Sequence, residues 1–340
     1  MTPDVAEALM IVSDRRPLPR ALAEAAFGDL MDGHASEAQK GAILLGIATR
    51  GETAEEIAGA VAALRRRMRR VPTGRSPLLD TCGPGGLGRD LFNLSTAAAV
   101  VAAGAGAAVA KHGNRSISSR VGSADVLAAS GVRVDLDPER AGQILDEVGL
   151  VFLFAPSFHP AMKELGTVRR ELGIRTIFNA LGPLANPAGA TRQLMGVGRP
   201  DLPRLLADAL AALGNERAIV FHSENGLDEL TPGVGAFGVE VRDGWTRPWR
   251  LDAGALSQKP VDMAELAGGD AGENAAMLAR LLEGEPGARR EAVLLNVAVA
   301  LVVEGRARDV ADGYERARAA IDSGAARGRL EALRAASGAA

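Results

Sequence analysis

The chain of 340 residues is 47% hydrophobic and 24% charged, which excludes a disordered protein and allows one large domain or two ordinary ones. A formal net charge of −3 gives no general attraction to nucleic acid or anionic membranes, so a phosphate site would have to be local. The single cysteine, Cys82, excludes an intramolecular disulfide, and no secretory signal or membrane-spanning run is visible, so we expect a cytoplasmic protein.

The first seventy residues have a helical pattern without a strand signal. Thr53 and Glu56 form a capping-box signature before an apolar-periodic run. Ser36 similarly precedes EAQKGAILLGIA, and Gly51 is placed to end that helix. This block is therefore predicted to be a small helical domain.

From SPLLDTCG onward, short β-like runs alternate with helical patterns. The runs are LLDTC (78–82), AAVAKHG (107–113), VRVDL (132–136), LVFLFAP (150–156) and RAIVFHS (217–223). The helical patterns are 95–104, 123–130, 138–148 and 202–213, with a further helical piece at 160–173. This alternation predicts a larger α/β domain with a mainly parallel central sheet.

A glycine-rich stretch, DTCGPGGLGRDLFNLST (80–96), follows the first predicted strand. Gly83, Gly85 and Gly88 fit the dinucleotide fingerprint, but the acidic residue expected about 20 positions later is missing. A phosphate-binding Walker loop is excluded because Arg89 and Asp90 follow the last glycine. Glycine backbone and hydroxyls before an Ala-rich helix still favour an anion site at the helix N-terminus. Ordinary turn glycines with a structural cap are the alternative.

Two further predicted strand ends carry polar side chains. KHGNRSISS (111–119) offers two cations and several hydroxyls, which suit a phosphorylated ligand. SENGLDEL (223–230) places Asp228 beside Glu229, and carboxylates that hold Mg²⁺ commonly share it with substrate phosphates. HPAMKELGTVRRELGIRT (159–176) offers Arg169, Arg170 and Arg175, and an arginine among them that faces the cleft could hold a planar carboxylate through two parallel hydrogen bonds. Solvated loops and helix faces remain the alternative for each.

Together these segments resemble the anthranilate phosphoribosyltransferases, in the glycosyltransferase family that also includes the pyrimidine nucleoside phosphorylases. The matching stretches extend from about residue 80 to 325: FNLSTAAA, VAKHGNRSISSRVGSADVL, HPAMKELGTVRRELGIRTIFNALGPLANPA, GLDEL and AIDSGAA. The resemblance implies transfer of the 5-phosphoribosyl group from phosphoribosyl pyrophosphate (PRPP) to the anthranilate amine, a step of tryptophan biosynthesis. It also implies a homodimer, with no nucleic-acid or membrane partner, and an α/β domain that binds PRPP and Mg²⁺. The boundaries that we predict are 1–72 with about 160–180 for the small domain, and 76–159 with about 181–335 for the α/β domain.

The resemblance also assigns roles to individual residues. The PRPP residues that it implies are Gly83, Gly86, Leu87, Leu91, Asn93, Ser95, Thr96, Lys111, Ser119 and Ser123. Ser95, Asp228 and Glu229 correspond to magnesium ligands, and Gly83, Asn114 and Arg169 to anthranilate contacts. No acid or base is implied; Lys111, Asn114 and Arg169 would act by positioning and electrostatics.

The glycine loop departs from the family pattern, G-T-G-G-D-G with a Thr three residues beyond the last Gly. Pro84 replaces the first Thr, Leu87 the Asp and Leu91 the later Thr, so three polar positions near the ribose and pyrophosphate are apolar. Each lost charge-assisted contact costs about 1.5–3 kcal/mol, so we expect weakened PRPP affinity.

Three other functions are compatible with parts of the sequence. A paralogue using another aromatic acceptor would share the PRPP motifs. A nucleoside phosphorylase is disfavoured because its Lys-His-Ser-Thr-Gly-Gly pattern is absent. A non-catalytic relative that binds nucleic acid through surface arginines is disfavoured by the acidic net charge.

Overall fold

The computed structural model describes residues 1–84, 90–115, 120–254, 256 and 259–338. It begins with packed helices: α1 (Pro3–Ser13), α2 (Arg20–Met31), α3 (Glu37–Arg50) and α4 (Ala54–Arg67). Both predicted N-termini are confirmed, since Ser36 with Gln39 and Thr53 with Glu56 form reciprocal capping boxes. Gly51 ends α3 at a positive φ of 95°, a conformation that favours glycine.

In the described residues, one seven-stranded sheet forms the centre of the molecule. Its strands are β1 (Leu79–Asp80), β2 (Val109–Gly113), β3 (Leu150–Phe154), β4 (Arg192–Gly196), β5 (Arg217–Ser223), β6 (Ala236–Arg242) and β7 (Trp245–Leu251). The order across the sheet is β3-β2-β1-β4-β5-β6-β7; all neighbours from β3 to β5 are parallel, whereas β6 and β7 pair antiparallel. The predicted α/β class with a mainly parallel sheet is confirmed.

The remaining helices lie between and after the strands. They are α5 (Leu94–Gly104), α6 (Ser123–Ala129), α7 (Pro138–Val148), α8 (Ala155–Phe158), α9 (Gly166–Leu172), α10 (Phe178–Leu184), α11 (Leu202–Ala212), α12 (Ala271–Leu282), α13 (Ala288–Glu304), α14 (Val310–Asp322) and α15 (Ala325–Ser337). Short 3₁₀ helices occupy Pro160–Leu165 and Met263–Leu266. In the described part of the chain, no helix is both long and apolar enough to cross a bilayer.

Successive side chains of a strand pack into two separate hydrophobic cores, one on each face of the sheet. Ile219 packs into a core built with α5 and α13, whereas its neighbour Val220 packs into the core that contains the N-terminal helices. Val168 and Phe178, from α9 and α10, belong to this second core. Residues 160–184 therefore pack against the N-terminal helices, and the two-part domain division remains a prediction.

The predicted strand at 132–136 is wrong. Val132, Val134 and Leu136 point alternately into the core, but the amide of Arg133 donates to Ser337 Oγ at 3.1 Å instead of pairing with a strand. Conversely, the sequence pattern did not predict strands β4, β6 and β7. The edge strand β7 reads WTRPWRL, and charged residues and proline are typical of exposed edges and weaken any strand signal.

The Glu56 carboxylate provides a test of the helical bundle. It is buried and accepts from the amides of Leu18 and Thr53, both at 2.9 Å, and it pairs with Arg50. Glu56→Ala leaves the partly exposed Arg50 without its ion-pair partner and two amides without their acceptor, so we expect a loss of about 3 kcal/mol in the free energy of unfolding. Urea denaturation measures this loss.

Glu55→Ala is the matched control because Glu55 is exposed in the first turn of the same helix. It should change the free energy of unfolding by no more than about 0.5 kcal/mol. Equal losses in the two variants would contradict the role given to Glu56.

Candidate active site

A cavity of about 580 Å³ lies at the carboxyl-terminal edge of the parallel strands, with Arg169 and Phe178 on its opposite wall. It is lined by every predicted site residue that the structure describes: Gly83, Leu91, Asn93, Ser95, Thr96, Lys111, Asn114, Ser123, Arg169, Asp228 and Glu229. Gly86, Leu87 and Ser119 lie outside the described residues. The shared cavity establishes proximity, and the individual roles remain predictions.

Lys111 connects two of the polar loops. It lies on β2, is 3% exposed, and its Nζ donates to the carbonyl oxygen of Thr81 at 3.2 Å and to Thr81 Oγ1 at 3.3 Å. The same ammonium lies 3.5 Å from Ser95 Oγ at the start of α5. A buried ammonium that faces a hydroxyl and a helix N-terminus suits an anionic ligand.

Two glycines allow the loop after β5 to approach the loop after β1. A Cβ atom on Gly83 would lie 2.5 Å from the carbonyl oxygen of Gly196. A Cβ on Gly196 would lie 1.7 Å from the carbonyl oxygen of Asp228. Only glycine fits these positions without movement of the backbone, so both glycines fix the distance between the acids and the glycine loop.

Glu229 binds the N-terminus of α5. Its Oε1 accepts from the Ser95 amide at 3.1 Å. Although the cavity leaves Glu229 partly exposed, the protein packed around it raises the pKa of its carboxyl to about 8, and the neighbouring charge of Asp228 adds to this. Burial also raises the pKa of Asp228. Two acids that resist ionisation together form a site that a cation would stabilise.

Asn93 is the N-cap residue of α5. Its side chain makes no capping bond. The side-chain Nδ2 of Asn93 donates to the carbonyl oxygen of Val121 at 3.3 Å, and its Oδ1 accepts from Asn274 Nδ2 at 2.9 Å. Glu229, in the loop after β5, supplies the acceptor for the Ser95 amide instead. Thr96 Oγ1 is buried without a hydrogen-bond partner in the described structure, and Thr96 lines the cavity. A ligand could satisfy that hydroxyl.

Asp80, Cys82 and His112 place potential metal-binding atoms within 4.8 Å of one another. The Asp80 oxygens already accept from the His112 amide at 3.2 Å and from Asn186 Nδ2 at 2.8 Å. Burial raises the pKa of the Cys82 thiol to about 12, so it stays protonated at neutral pH. These groups therefore hold β1 against its neighbours and do not form a ready metal site.

His112 packs against a second histidine. Its Nδ1 lies 3.0 Å from the carbonyl oxygen of Gly182, and its Nε2 lies 3.2 Å from Nε2 of His159. Burial lowers the pKa of His112 to about 3 and that of His159 to about 4, so both rings are neutral at physiological pH. The pair forms one wall of the cavity without contributing charge.

Arg169 supplies a cation to the opposite wall. Its guanidinium is half-buried, lies 5.8 Å from the ring centre of Phe178, and has no acid partner among the described residues. On the loop after β2, Asn114 Oδ1 accepts from the Arg115 backbone amide at 2.8 Å. The side-chain NH₂ of Asn114 can then donate to a ligand. An unpaired arginine beside an aromatic ring is suited to a planar carboxylate.

Comparison with known proteins supports the sequence resemblance. The glycosyl transferase family helical bundle domain matches residues 6–68, and the glycosyl transferase family a/b domain matches residues 75–327. An anthranilate phosphoribosyltransferase of Anaeromyxobacter sp. (strain K) is 50% identical over 329 residues, covering 97% of both chains. The chain belongs to the anthranilate phosphoribosyltransferase family. The Anaeromyxobacter dehalogenans (strain 2CP-C) enzyme is 52% identical over 316 residues, or 93% of this chain and 94% of that one.

Solved structures agree with this membership. The anthranilate phosphoribosyltransferase of Thermus thermophilus is 41% identical and superposes with a TM-score of 0.92 over 99% of both chains. The Saccharomyces cerevisiae enzyme, solved in complex with PRPP and Mg, has a TM-score of 0.89 over 98% of this chain and 97% of its own. Its identity of 24% makes it a comparison of fold alone.

The sequence analysis did not identify three residues that lie at or next to the cavity. Gly196 ends the unpredicted strand β4, and only the glycine after the apolar pair Leu194-Met195 signals a close approach. Thr81 looked like part of a strand, yet it binds Lys111. His159 gave no signal, because its partner His112 is 47 residues away in the chain.

The raised pKa of Glu229 predicts a pH-dependent stability when divalent cations are absent. Because the pKa of the folded carboxyl is about 8 and its ordinary value is 4.5, the contribution of this group to the free energy of unfolding is fully present below pH 4.5 and is lost as the pH rises to 8. Glu229→Gln mimics the protonated form and keeps an acceptor for Ser95. We expect it to melt higher than the unmodified chain at pH 8, by thermal unfolding with a chelator present.

Glu224→Gln is the control, since Glu224 is exposed and pairs with Arg250. Its stability should follow the pH profile of the unmodified chain. A Glu229→Gln profile that falls just as steeply between pH 4.5 and pH 8 would contradict the shift.

Proposed function

We propose that this chain transfers the 5-phosphoribosyl group of PRPP to the amine of anthranilate and releases pyrophosphate. The observation that carries the proposal is that Lys111, Ser95 and Glu229 converge on one side of a cavity whose other wall holds Arg169. A cationic and hydroxyl-rich side suits the diphosphate, and an arginine on the far wall suits a carboxylate.

PRPP lies along the glycine loop in this proposal. The Lys111 ammonium offsets charge on the diphosphate, and the backbone at Gly83 allows a close approach. The unpartnered hydroxyl of Thr96 gains an acceptor. Asn93 and Ser123 line the same side, and we keep Gly86, Leu87 and Ser119 in the site from the family motif alone.

Mg²⁺ is the implied cofactor, and the donor set fits it. Carboxylate and hydroxyl oxygens are the ligands that Mg²⁺ prefers, and Asp228, Glu229 and Ser95 present them beside a diphosphate site. Burial raises the pKa values of both acids, and a bound cation would stabilise their ionised forms. When bound, Mg²⁺ supplies neutralisation of the leaving diphosphate.

Anthranilate occupies the opposite end of the cavity. The planar guanidinium of Arg169 can hold its carboxylate by two parallel hydrogen bonds, while Phe178 borders the aromatic ring. Gly83 and Asn114 contact anthranilate from the side of the cavity that binds PRPP. The amine then faces C1 of the ribose.

The reaction needs no strong base. The anthranilate amine is neutral at physiological pH, so it attacks C1 directly, the bond to pyrophosphate breaks, and the nitrogen then loses a proton. His112, with a pKa of about 3, is a poor proton acceptor at neutral pH. The rate enhancement therefore comes from holding both substrates in line and from offsetting charge on the leaving group.

The divergent loop has a partial structural explanation. Leu91 pairs by a backbone bridge with Ala267 and packs against the apolar core, so its side chain has a packing role where the family pattern has Thr. Pro84 lines the cavity without adding a hydrogen-bond donor. Weakened PRPP affinity remains our prediction for this loop.

We also propose that the chain forms a homodimer through its N-terminal helices. Met10 on α1 is 63% exposed and Leu45 on α3 is 49% exposed, and the two helices pack side by side. Large exposed apolar side chains on adjacent helices favour burial against a second copy. The predicted small domain, residues 1–72 with about 160–180, would supply that interface.

A fluorescence assay tests the proposed function. Enzyme, PRPP, Mg²⁺ and anthranilate are mixed, and loss of anthranilate fluorescence is followed with time. We expect the fluorescence to fall only when all four components are present. An unchanged signal at high enzyme concentration would reject anthranilate as the acceptor, and tight calorimetric binding of PRPP alone would then favour another aromatic acceptor.

Arg169→Lys tests the carboxylate contact. It keeps the positive charge but removes the planar pair of donors, so we expect the KM for anthranilate to rise about tenfold or more with little change for PRPP. Steady-state kinetics with each substrate varied in turn gives both constants. Arg170→Lys, at the exposed neighbouring position, should leave them unchanged. An unchanged anthranilate KM in Arg169→Lys would reject the contact.

Leu45→Glu tests the dimer. A charge at the centre of a buried apolar contact is costly, so the variant should elute as a monomer in size-exclusion chromatography with light scattering, whereas the unmodified chain is dimeric. Trp245→Glu replaces another exposed apolar residue, 44% exposed at the start of β7 and outside the proposed interface, and should remain dimeric. A dimeric Leu45→Glu variant would rule out this interface.

A further inference from the structure

Three arginines stand side by side at the edge of the sheet that lies opposite the candidate active site. Arg192, Arg217 and Arg242 are direct register partners on β4, β5 and β6, so their side chains share one face of the sheet. Arg217 begins β5, whereas the loop with Asp228 and Glu229 follows its end. The seven residues of β5 separate the two places by roughly 20 Å.

The positive charge of this row is only partly offset. Arg192 pairs with Glu216 at 3.3 Å and donates to the Glu304 carbonyl oxygen at the end of α13. Among the described residues, Arg217 and Arg242 have no ion-pair partner. Like charges directly opposite one another destabilise an antiparallel pair, so this juxtaposition favours a bridging anion.

The guanidinium groups of Arg192 and Arg217 also approach each other in space. Nη1 of Arg192 and Nη1 of Arg217 lie 3.2 Å and 3.3 Å from the point that a Cβ of Gly305 would occupy. Glu304, the neighbouring acid, is buried and lies 3.3 Å from Nε of Arg306. Burial raises the pKa of the Glu304 carboxyl, and the positive charges of Arg306, Arg192 and Arg217 counter this, so the charge of Arg217 is offset in part.

A cavity of about 290 Å³ opens beside the row. We call this cavity the arginine cleft, because four arginines line it: Arg217, Arg242, Arg247 and Arg308. Glu240, which pairs with Arg247, also lines the cavity, and Arg308 lies 3.5 Å from Asp312. Among the described residues, Arg242 has no acid within ion-pair distance, and Arg217 is offset only by the more distant Glu304. Ile219, Val302 and Ala307 give the cavity an apolar wall.

We propose that the arginine cleft is a binding site for a small oxyanion, a phosphate or a carboxylate, separate from the candidate active site. Guanidinium groups bind such anions by paired, charge-assisted hydrogen bonds. The oxyanion bridges Arg217 and Arg242, and the apolar wall accommodates an attached hydrocarbon body. The cavity volume limits the ligand to a small molecule.

Calorimetric titration of the full chain with inorganic phosphate tests the proposal, with saturating PRPP and Mg²⁺ present so that the candidate active site is filled. A second titration with acetate under the same conditions separates a phosphate from a carboxylate ligand. We expect at least one of the two anions to bind, and the double variant Arg217→Gln, Arg242→Gln to bind it about tenfold more weakly or not at all. Arg250→Gln removes one charge from the same hairpin, and Arg169→Gln removes one from the candidate active site; both should retain this binding.

Three results would overturn the proposal. Neither anion binds the unmodified chain, or the double variant binds as tightly as the unmodified chain, or Arg250→Gln weakens binding as much as the double variant does. The second result combined with a loss in Arg169→Gln would place the anion in the candidate active site. Circular dichroism of each variant establishes that the fold is retained before binding is compared.

Discussion

The site depends on one long-range hydrogen bond, from the Ser95 amide to the Glu229 carboxylate. It joins the start of α5 to the loop after β5, and the backbone contact of Gly196 with Asp228 brings that loop close enough to form it. When Glu229 is ionised, its negative charge is favourable at the helix N-terminus, which offsets part of the cost of enclosing the acid. The same bond places the acids beside Lys111, so the arrangement of charge follows from the packing of strand ends.

The sheet separates the two chemical tasks of the cavity. Its carboxyl-terminal edge supplies the ammonium, the hydroxyls and the acids, while the wall with Arg169 is built on α9 and α10. Because those helices share a core with α2 and α4, the acceptor wall is attached to the N-terminal bundle. The two substrates would therefore be held by different parts of the molecule, and their alignment depends on how firmly these parts pack together.

Local sequence predicted much of the fold and of the site. Strand ends followed by KHGNRS and GLDE located Lys111, Asp228 and Glu229, since polar residues after buried strands are exposed at one sheet edge. Periodicity misread 132–136, where the inward alternation is real but the amide of Arg133 binds Ser337 instead of a strand. It also missed β4, and with it Gly196. The capping of α5 by Glu229 could not be predicted, because it joins residues 134 positions apart.

The most direct test of the central claim is a crystal structure of the chain soaked with PRPP and Mg²⁺. We predict that the diphosphate lies against the start of α5 and the Lys111 ammonium, with the metal coordinated by Asp228 and Glu229. The Ser95 amide should keep its bond to Glu229. Diphosphate bound elsewhere in the cavity, with Lys111 and both acids more than a hydrogen-bond length from ligand and metal, would contradict the account.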